Sequence, residues 1–140
     1  MTSSVLYTGA LRTESRHVTS GSGIETDAPI DNNGRGERFS PTDLLATSLA
    51  SCMMTVMGIK ARSMGFDLEG LGAEVQKNMK ADPRRVGSIE INFSIPDALK
   101  TLGEKEKKVL IHTALTCPVQ KSLHPDIEVA LNWGDWEKQG

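Results

Sequence analysis

The residues of this chain best equipped for chemistry are its two cysteines, Cys52 and Cys117. A thiolate can be a nucleophile, a metal ligand or half of a disulfide, and its surroundings decide among these uses. Cys52 lies in the middle of the longest periodic apolar stretch, SPTDLLATSLASCMMTVMGIKARSMG, from Ser40 to Gly65. Cysteine often packs as a small hydrophobe, so position alone favours an inert core thiol there. The helix dipole acts only within the first turn, and Cys52 is about three turns in. If Cys52 is to be a thiolate, it needs a cation from elsewhere. Arg35 and Arg38, in the loop just ahead of the helix, are candidates, as are Arg12 and Arg16 from the first strands. A charged loop of this kind is also what a solvated surface looks like. Cys117 stands before Pro118, at what reads as a helix restart. Unpaired N–H groups and the dipole favour an anion at such an end, so the chain alone makes Cys117 the easier thiolate, or simply a cap.

Both cysteines fall on the apolar faces of their helices and so point into one core. A disulfide between them requires Cα atoms within about 7 Å and cannot be established from sequence. Two thiols that meet in this way have the geometry of a peroxidatic and a resolving cysteine, the first becoming a sulfenic acid and the second condensing with it. Other chemistries have less behind them. His112 and His124 flank Cys117 at spacings of five and seven, and there is no C-x-x-C or H-x-x-x-H, so no metal site is expected. The GRGE run, Gly34 to Glu37, lacks the Lys-Ser/Thr ending and preceding strand of a phosphate loop. Neither thiol carries a local acyl-transfer signature.

The elements that must position the thiols follow from period and punctuation. Ser40 can cap, Pro41 suits the first helical position, Asp43 can bond back to the cap, and Gly65 is a left-handed stop. Leu45, Leu49, Cys52, Met53, Val56 and Met57 then share one face of a helix of about 24 residues, roughly 36 Å long. Ahead of it, residues 1–30 read as β structure. Val5 and Tyr7 alternate, Arg16 to Ser20 is a strand candidate, and Gly21-Ser22-Gly23 turns into Ile24 to Thr26. Asp27 to Phe39 is a polar loop. Behind the helix, Leu68 to Met79 is a strand candidate and Lys80 to Arg85 a turn. Ser88 to Pro96 places Ile89, Ile91, Phe93 and Ile95 on one face of a half-buried antiparallel strand. Gly103 to Thr116 forms an amphipathic helix, with Lys105 to Lys108 as its solvated side. Cys117-Pro118 opens a short helix, and Ile127, Val129, Leu131 and Trp133 alternate in a last strand. The expected fold is α+β, one domain over residues 1–140, with a long helix packed on antiparallel sheet.

Composition narrows the function classes. A net charge of −2 and a pI near 5.9 give no basic footprint for nucleic acid. No run of about 18 apolar residues suggests a membrane span, and the N-terminus lacks signal-peptide order. The expected location is the cytoplasm, where two cysteines serve as thiols or redox groups rather than as a staple.

The segments Ser40-Pro41-Thr42-Asp43-Leu44-Leu45 and Ser48-Leu49-Ala50-Ser51-Cys52, with Cys117-Pro118-Val119-Gln120-Lys121-Ser122-Leu123, resemble the osmotically inducible protein C family. That family includes the organic hydroperoxide resistance proteins. The resemblance spans most of the chain. It implies an α+β fold in an intertwined homodimer, with the central helices buried and active sites at the subunit interface. It implies thiol-dependent reduction of hydroperoxides without a bound cofactor, Cys52 as peroxidatic and Cys117 as resolving cysteine, and an external, lipoyl-type dithiol as reductant. By the same resemblance Arg38 or Arg35 would stabilise the thiolate. One position departs: the family's hydroperoxidases commonly carry a glutamate after the helix-start proline, orienting an arginine onto the sulfur, and Thr42 stands there. Two competing readings remain: a non-enzymatic member binding a small hydrophobic ligand beside Met53, Met54, Met57 and Met64, and a redox sensor using a reversible Cys52–Cys117 disulfide.

Overall fold

The long helix forms where its signals place it. In a computed structural model that describes residues 1–137, α1 runs over Pro41–Ser63. Its start is a reciprocal capping box: the Asp43 N–H donates to Ser40 Oγ (3.0 Å) and the Ser40 N–H to Asp43 Oδ2 (2.9 Å). Its end is a left-handed Gly65 (φ +92°), and the Phe66 N–H reaches back to the Ala61 carbonyl at 3.1 Å. By length and composition α1 would suffice to cross a bilayer, which the sequence reading did not anticipate. Its apolar stripe is committed to a protein core instead, with Leu49, Met53, Met57 and Ala61 all at 0% exposure.

The chain divides into two compact units, residues 1–45 and residues from 46 onward. The first holds an antiparallel sheet in the order β1 (Ser3–Gly9), β2 (Arg12–His17), β3 (Gly23–Asp27). Its register pairs Val5 with Ser15, Thr13 with Thr26 and Arg12 with Asp27. The second strand thus begins at Arg12, four residues ahead of the expected Arg16. Ala10 (φ 53°) and Leu11 (φ 61°) make a tight hairpin turn with both central residues left-handed. Neither residue advertises that conformation, so the turn could not be read. The loop after β3 contains one 3-10 turn, Ile30–Asn32.

The second unit holds the sheet β4 (Gly72–Lys80), β5 (Arg85–Ser94), β6 (Glu128–Asn132), together with α1 from Ala46 onward, α2 (Asp97–Lys100), α3 (Glu104–Ala114) and α4 (Pro118–Ser122). β4 and β5 are antiparallel, with Val75 opposite Ile91, whereas β6 joins β5 in parallel, Val129 beside Ile89. The expectation of purely antiparallel sheet is corrected on this edge. Three helices separate β5 from β6, and a crossover of that length returns the chain in the same direction. The fold is α+β, its sheet and long helix sharing one core. Ile89 and Ile91 of β5, Leu110 and Ala114 of α3, and Cys117 are all at 0% exposure with the α1 residues. Each buried aliphatic of this size contributes about 1.5–3 kcal/mol. Phe93 stacks on Trp133 with ring centroids 4.2 Å apart, and Trp136 Nε1 donates to the Leu99 carbonyl at 3.0 Å.

Two burial expectations are corrected. The buried stripe of α1 is Ala46, Leu49, Ala50, Met53, Met57 and Ala61, so Leu45 is exposed and Cys52 and Val56 flank the stripe half-buried. Lys107, assigned to a solvated face, is 2% exposed, its Nζ 3.4 Å from Glu104 Oε1. The long aliphatic stem lies in the interior while the ammonium reaches a surface carboxylate.

Candidate functional site

Cys52 is carried at the edge of the apolar stripe of α1, inside the second unit. Cys117 is presented by the junction between α3 and α4. The α3 helix ends at Ala114, whose carbonyl accepts the Cys117 N–H at 3.3 Å, and Pro118 then opens α4 with Cys117 as its N-cap. The two side chains are near enough for Cys52 to act on the Cys117 thiol, and both are free thiols. Their environments differ: Cys117 is fully buried and Cys52 is half-buried.

Burial counts against Cys117 as an easy thiolate. Burial pushes the Cys117 thiol up from its ordinary value, and the contact with Cys52 pushes it further. Backbone N–H groups of Gln120 (3.4 Å to Sγ) and Val119 act in the opposite sense. The helix start does supply its donors, but desolvation of the charged form outweighs them. A pair of this kind, one thiol wholly enclosed and one at the margin of the core, suits attack by the outer sulfur and resolution by the inner one.

Gln120, which falls inside the second motif, was not singled out by its chemistry. Its Oε1 is buried without a hydrogen-bond partner among the described residues. An N-cap thiol accepting from the third residue of a helix is the sulfur counterpart of a Ser or Asp cap, and only the Cys-Pro pair signals it in sequence.

The arginines are placed in the first unit. Arg38 Nε donates to Glu25 Oε2 at 2.7 Å and its Nη1 to the Glu37 carbonyl at 3.1 Å. Arg35 is exposed, and its charge contributes to holding the Asp27 carboxyl low. Arg12 forms a two-pronged pair with Asp27, Nε to Oδ1 at 2.7 Å and Nη2 to Oδ2 at 2.8 Å. Arg16 Nη1 donates to the Gly21 carbonyl at 3.1 Å. At the helix start, Thr42 Oγ1 lies 3.2 Å from Ser40 Oγ, and Asp43 is engaged in the capping box. Asp43 therefore serves the helix end, not the role of the carboxylate that the resemblance expects one residue earlier. Among the described residues, no three of His, Cys, Asp or Glu gather as metal ligands.

A buried thiol meeting a half-buried one, on a long helix packed against a mixed sheet, defines a two-cysteine thiol protein of α+β fold. The family model described as OsmC-like protein matches residues 34–132, and the chain belongs to that family. It is similar to the crystal structure of a proposed osmotic stress induced and detoxification response protein from Psychrobacter arcticus 273-4, with 55% identity, 94% of each chain covered and a TM-score of 0.89. It shares its fold with an organic hydroperoxide resistance protein OsmC from Legionella pneumophila, at 19% identity and TM-score 0.70 over 94% of this chain and 96% of that one. An organic hydroperoxide resistance protein from Elizabethkingia anophelis is related in the same way, at 18% identity, TM-score 0.69 and 94% of each chain. No curated protein matches the chain.

Proposed function

We propose that this protein is a thiol-dependent peroxidase acting on organic hydroperoxides in the cytoplasm, and that it works as a homodimer. The observation that carries this reading is the pair of free thiols of unequal burial at one core, Cys117 within it and Cys52 packed against it. The Cys52 thiolate attacks the terminal oxygen of ROOH. The O–O bond breaks, the alkoxide takes a proton to leave as ROH, and Cys52 becomes a sulfenic acid. The Cys117 sulfur then displaces hydroxide from Cys52, which with the Cys117 proton leaves as water, and an S–S bond forms. An external dithiol of lipoyl type reduces that disulfide by exchange, becoming the cyclic disulfide itself and returning both protons to the cysteines. Arg38 or Arg35 is assigned to the thiolate by the family resemblance.

Coupled assays with cumene hydroperoxide and hydrogen peroxide, with a lipoyl-type dithiol as reductant, test the proposal. Wild type turns over, and Cys52→Ser loses essentially all activity. Consumption of neither peroxide with any dithiol would sink the enzyme reading. Stoichiometric oxidation to the Cys52–Cys117 disulfide without turnover would instead make the protein a sensor. A ligand-binding reading has one observation behind it. A cavity of about 450 Å³, lined by Thr47, Ala50, Ser51, Met54, Thr55, Ala73 and Val75, runs along α1 and β4. The other methionines weaken that reading, since Met53 and Met57 are core residues. A copurifying ligand together with unreactive thiols would favour it.

A further inference from the structure

The caps of α1 and α4 differ in one bond. At the start of α1 both halves of the capping box are made, Asp43 donating to Ser40 Oγ at 3.0 Å and Ser40 to Asp43 Oδ2 at 2.9 Å. Cys117-Pro118-Val119-Gln120 has the same layout, with glutamine at the third helical position, from which an acceptor side chain can reach back to the cap. Its first half is present, since Cys117 Sγ accepts the Gln120 N–H at 3.4 Å. Its second half is not, because the Cys117 N–H is spent on the Ala114 carbonyl at 3.3 Å. Gln120 Oε1 is left buried, with no hydrogen-bond partner among the described residues. A buried acceptor without a donor destabilises a fold. This one belongs to the residue whose N–H holds the sulfur assigned to resolution.

Such an acceptor suits a donor that exists only during turnover. The proposed chemistry, on which this inference rests, makes one: the O–H of the Cys52 sulfenic acid. Cys52 packs against the core cluster that contains Cys117, and resolution joins the two sulfurs. Cys117 supplies the electron pair of the new S–S bond as the S–O bond of Cys52 breaks, and the hydroxide leaves with the Cys117 proton as water. In this in-line displacement the departing oxygen lies beyond the Cys52 sulfur as seen from Cys117. The group that holds it must therefore be near Cys117 without being bonded to its sulfur. Gln120 Oε1 meets both conditions, for its own residue touches Sγ through the backbone while the oxygen is unbonded. We propose that Gln120 is a catalytic residue of the resolving step: its amide oxygen accepts the O–H of the Cys52 sulfenic acid and holds the S–O bond in line with the attacking Cys117 sulfur. The oxygen is closed to solvent, so water does not compete for that bond.

Single turnovers without reductant separate the two chemical steps. Wild type, Gln120→Met and Gln120→Glu each receive equimolar cumene hydroperoxide, and samples are drawn over time into dimedone. Peptide mass spectrometry then follows Cys52 trapped as sulfenic acid against the Cys52–Cys117 disulfide. Methionine matches the length of glutamine but offers only a weak sulfur acceptor, whereas glutamate keeps an oxygen at the same reach. In Gln120→Met peroxide should be consumed at the wild-type rate while disulfide formation slows about tenfold, the loss of one hydrogen bond in the transition state. Gln120→Glu should resolve within about threefold of wild type, because a carboxylate accepts the same O–H. Removing an unsatisfied acceptor should also leave reduced Gln120→Met at least as stable as wild type by thermal midpoint, whereas a purely structural glutamine would lower it. Resolution at the wild-type rate in Gln120→Met, or slowing of both steps together with a lowered midpoint, overturns the inference. A wild type that consumes no hydroperoxide sinks the peroxidase reading itself, and this inference with it.

Discussion

Asp27 is 1% exposed and organises the first unit through its carboxylate and its backbone N–H. Its carboxylate takes two guanidinium donors from Arg12 and the Glu37 N–H at 3.1 Å, and its own N–H donates to the Phe39 carbonyl at 3.1 Å. The two ends of the loop before α1 are thereby tied to one side chain. The hydrogen bonds from Arg12 hold the Asp27 carboxyl down at about 2, against an ordinary 3.8. A carboxyl depressed on folding binds protons more readily in the unfolded chain, so its stabilising effect is complete above about 3.8 and disappears as pH falls through about 2. Asp27→Asn should accordingly lower the thermal midpoint at neutral pH, and the gap from wild type should close across that acid window. A gap that stays constant from neutrality to pH 2 would place the effect of Asp27 in packing instead. Sequence reading had Arg12 only as a free cation and Asp27 only as the first residue of a polar loop. Nothing local reveals their pairing, because it depends on the register of β2 against β3.

Elements with local punctuation were legible, and those set by long-range pairing were not. Ser40, Pro41, Asp43 and Gly65 define both ends of α1 to within two residues, since capping chemistry lies within one turn of the sequence it reads. The alternation of Ile89, Ile91, Phe93 and Ile95 gave β5, and Cys117-Pro118 gave the start of α4. The Ala10-Leu11 turn was missed because neither residue type signals a left-handed backbone, and the parallel edge of β6 and the burial of Lys107 because each is decided by elements distant in sequence. The caps of α1 can be weighed separately. Ser40→Ala removes one half of the capping box and should cost about 1 kcal/mol. At Gly65 a Cβ would meet nothing within 4 Å, so Gly65→Ala isolates the strain of a left-handed backbone and should cost about 1 kcal/mol as well. Chemical denaturation of the two single variants and the double measures both. The sites lie at opposite ends of the helix, so the losses should add; Gly65→Ala at no cost would mean that the chain leaves α1 by another route.

At the scale of the whole molecule, the apolar surface is unevenly distributed. Among the described residues the second unit exposes two large hydrophobics singly, Ile59 and Leu115, whereas β1 of the first exposes three in succession, Val5 and Leu6 at 64% and Tyr7 at 61%. Alternation along a strand puts Val5 and Tyr7 on one face and Leu6 on the other, so both faces of this strand are apolar and uncovered in the single chain. Val18, Ile24, Ile30 and Phe39 add to the same unit's exposed apolar surface. Clustered surface of this kind marks association in soluble proteins, where single exposed side chains would not. The period of two along β1 was legible; that it has no core to face was not, because alternation says which residues share a face and never what covers it. A second copy of the chain is the partner that the family resemblance supplies. Sedimentation velocity should give a species of twice the 15.2 kDa chain, and Leu6→Glu together with Tyr7→Lys should shift it toward the single chain at micromolar concentration. A 15.2 kDa species in the wild type at the highest attainable concentration would remove the homodimer and leave β1 to be covered by something else. If the dimer carries the active sites, the same double variant should also lose peroxide turnover in step with its dissociation.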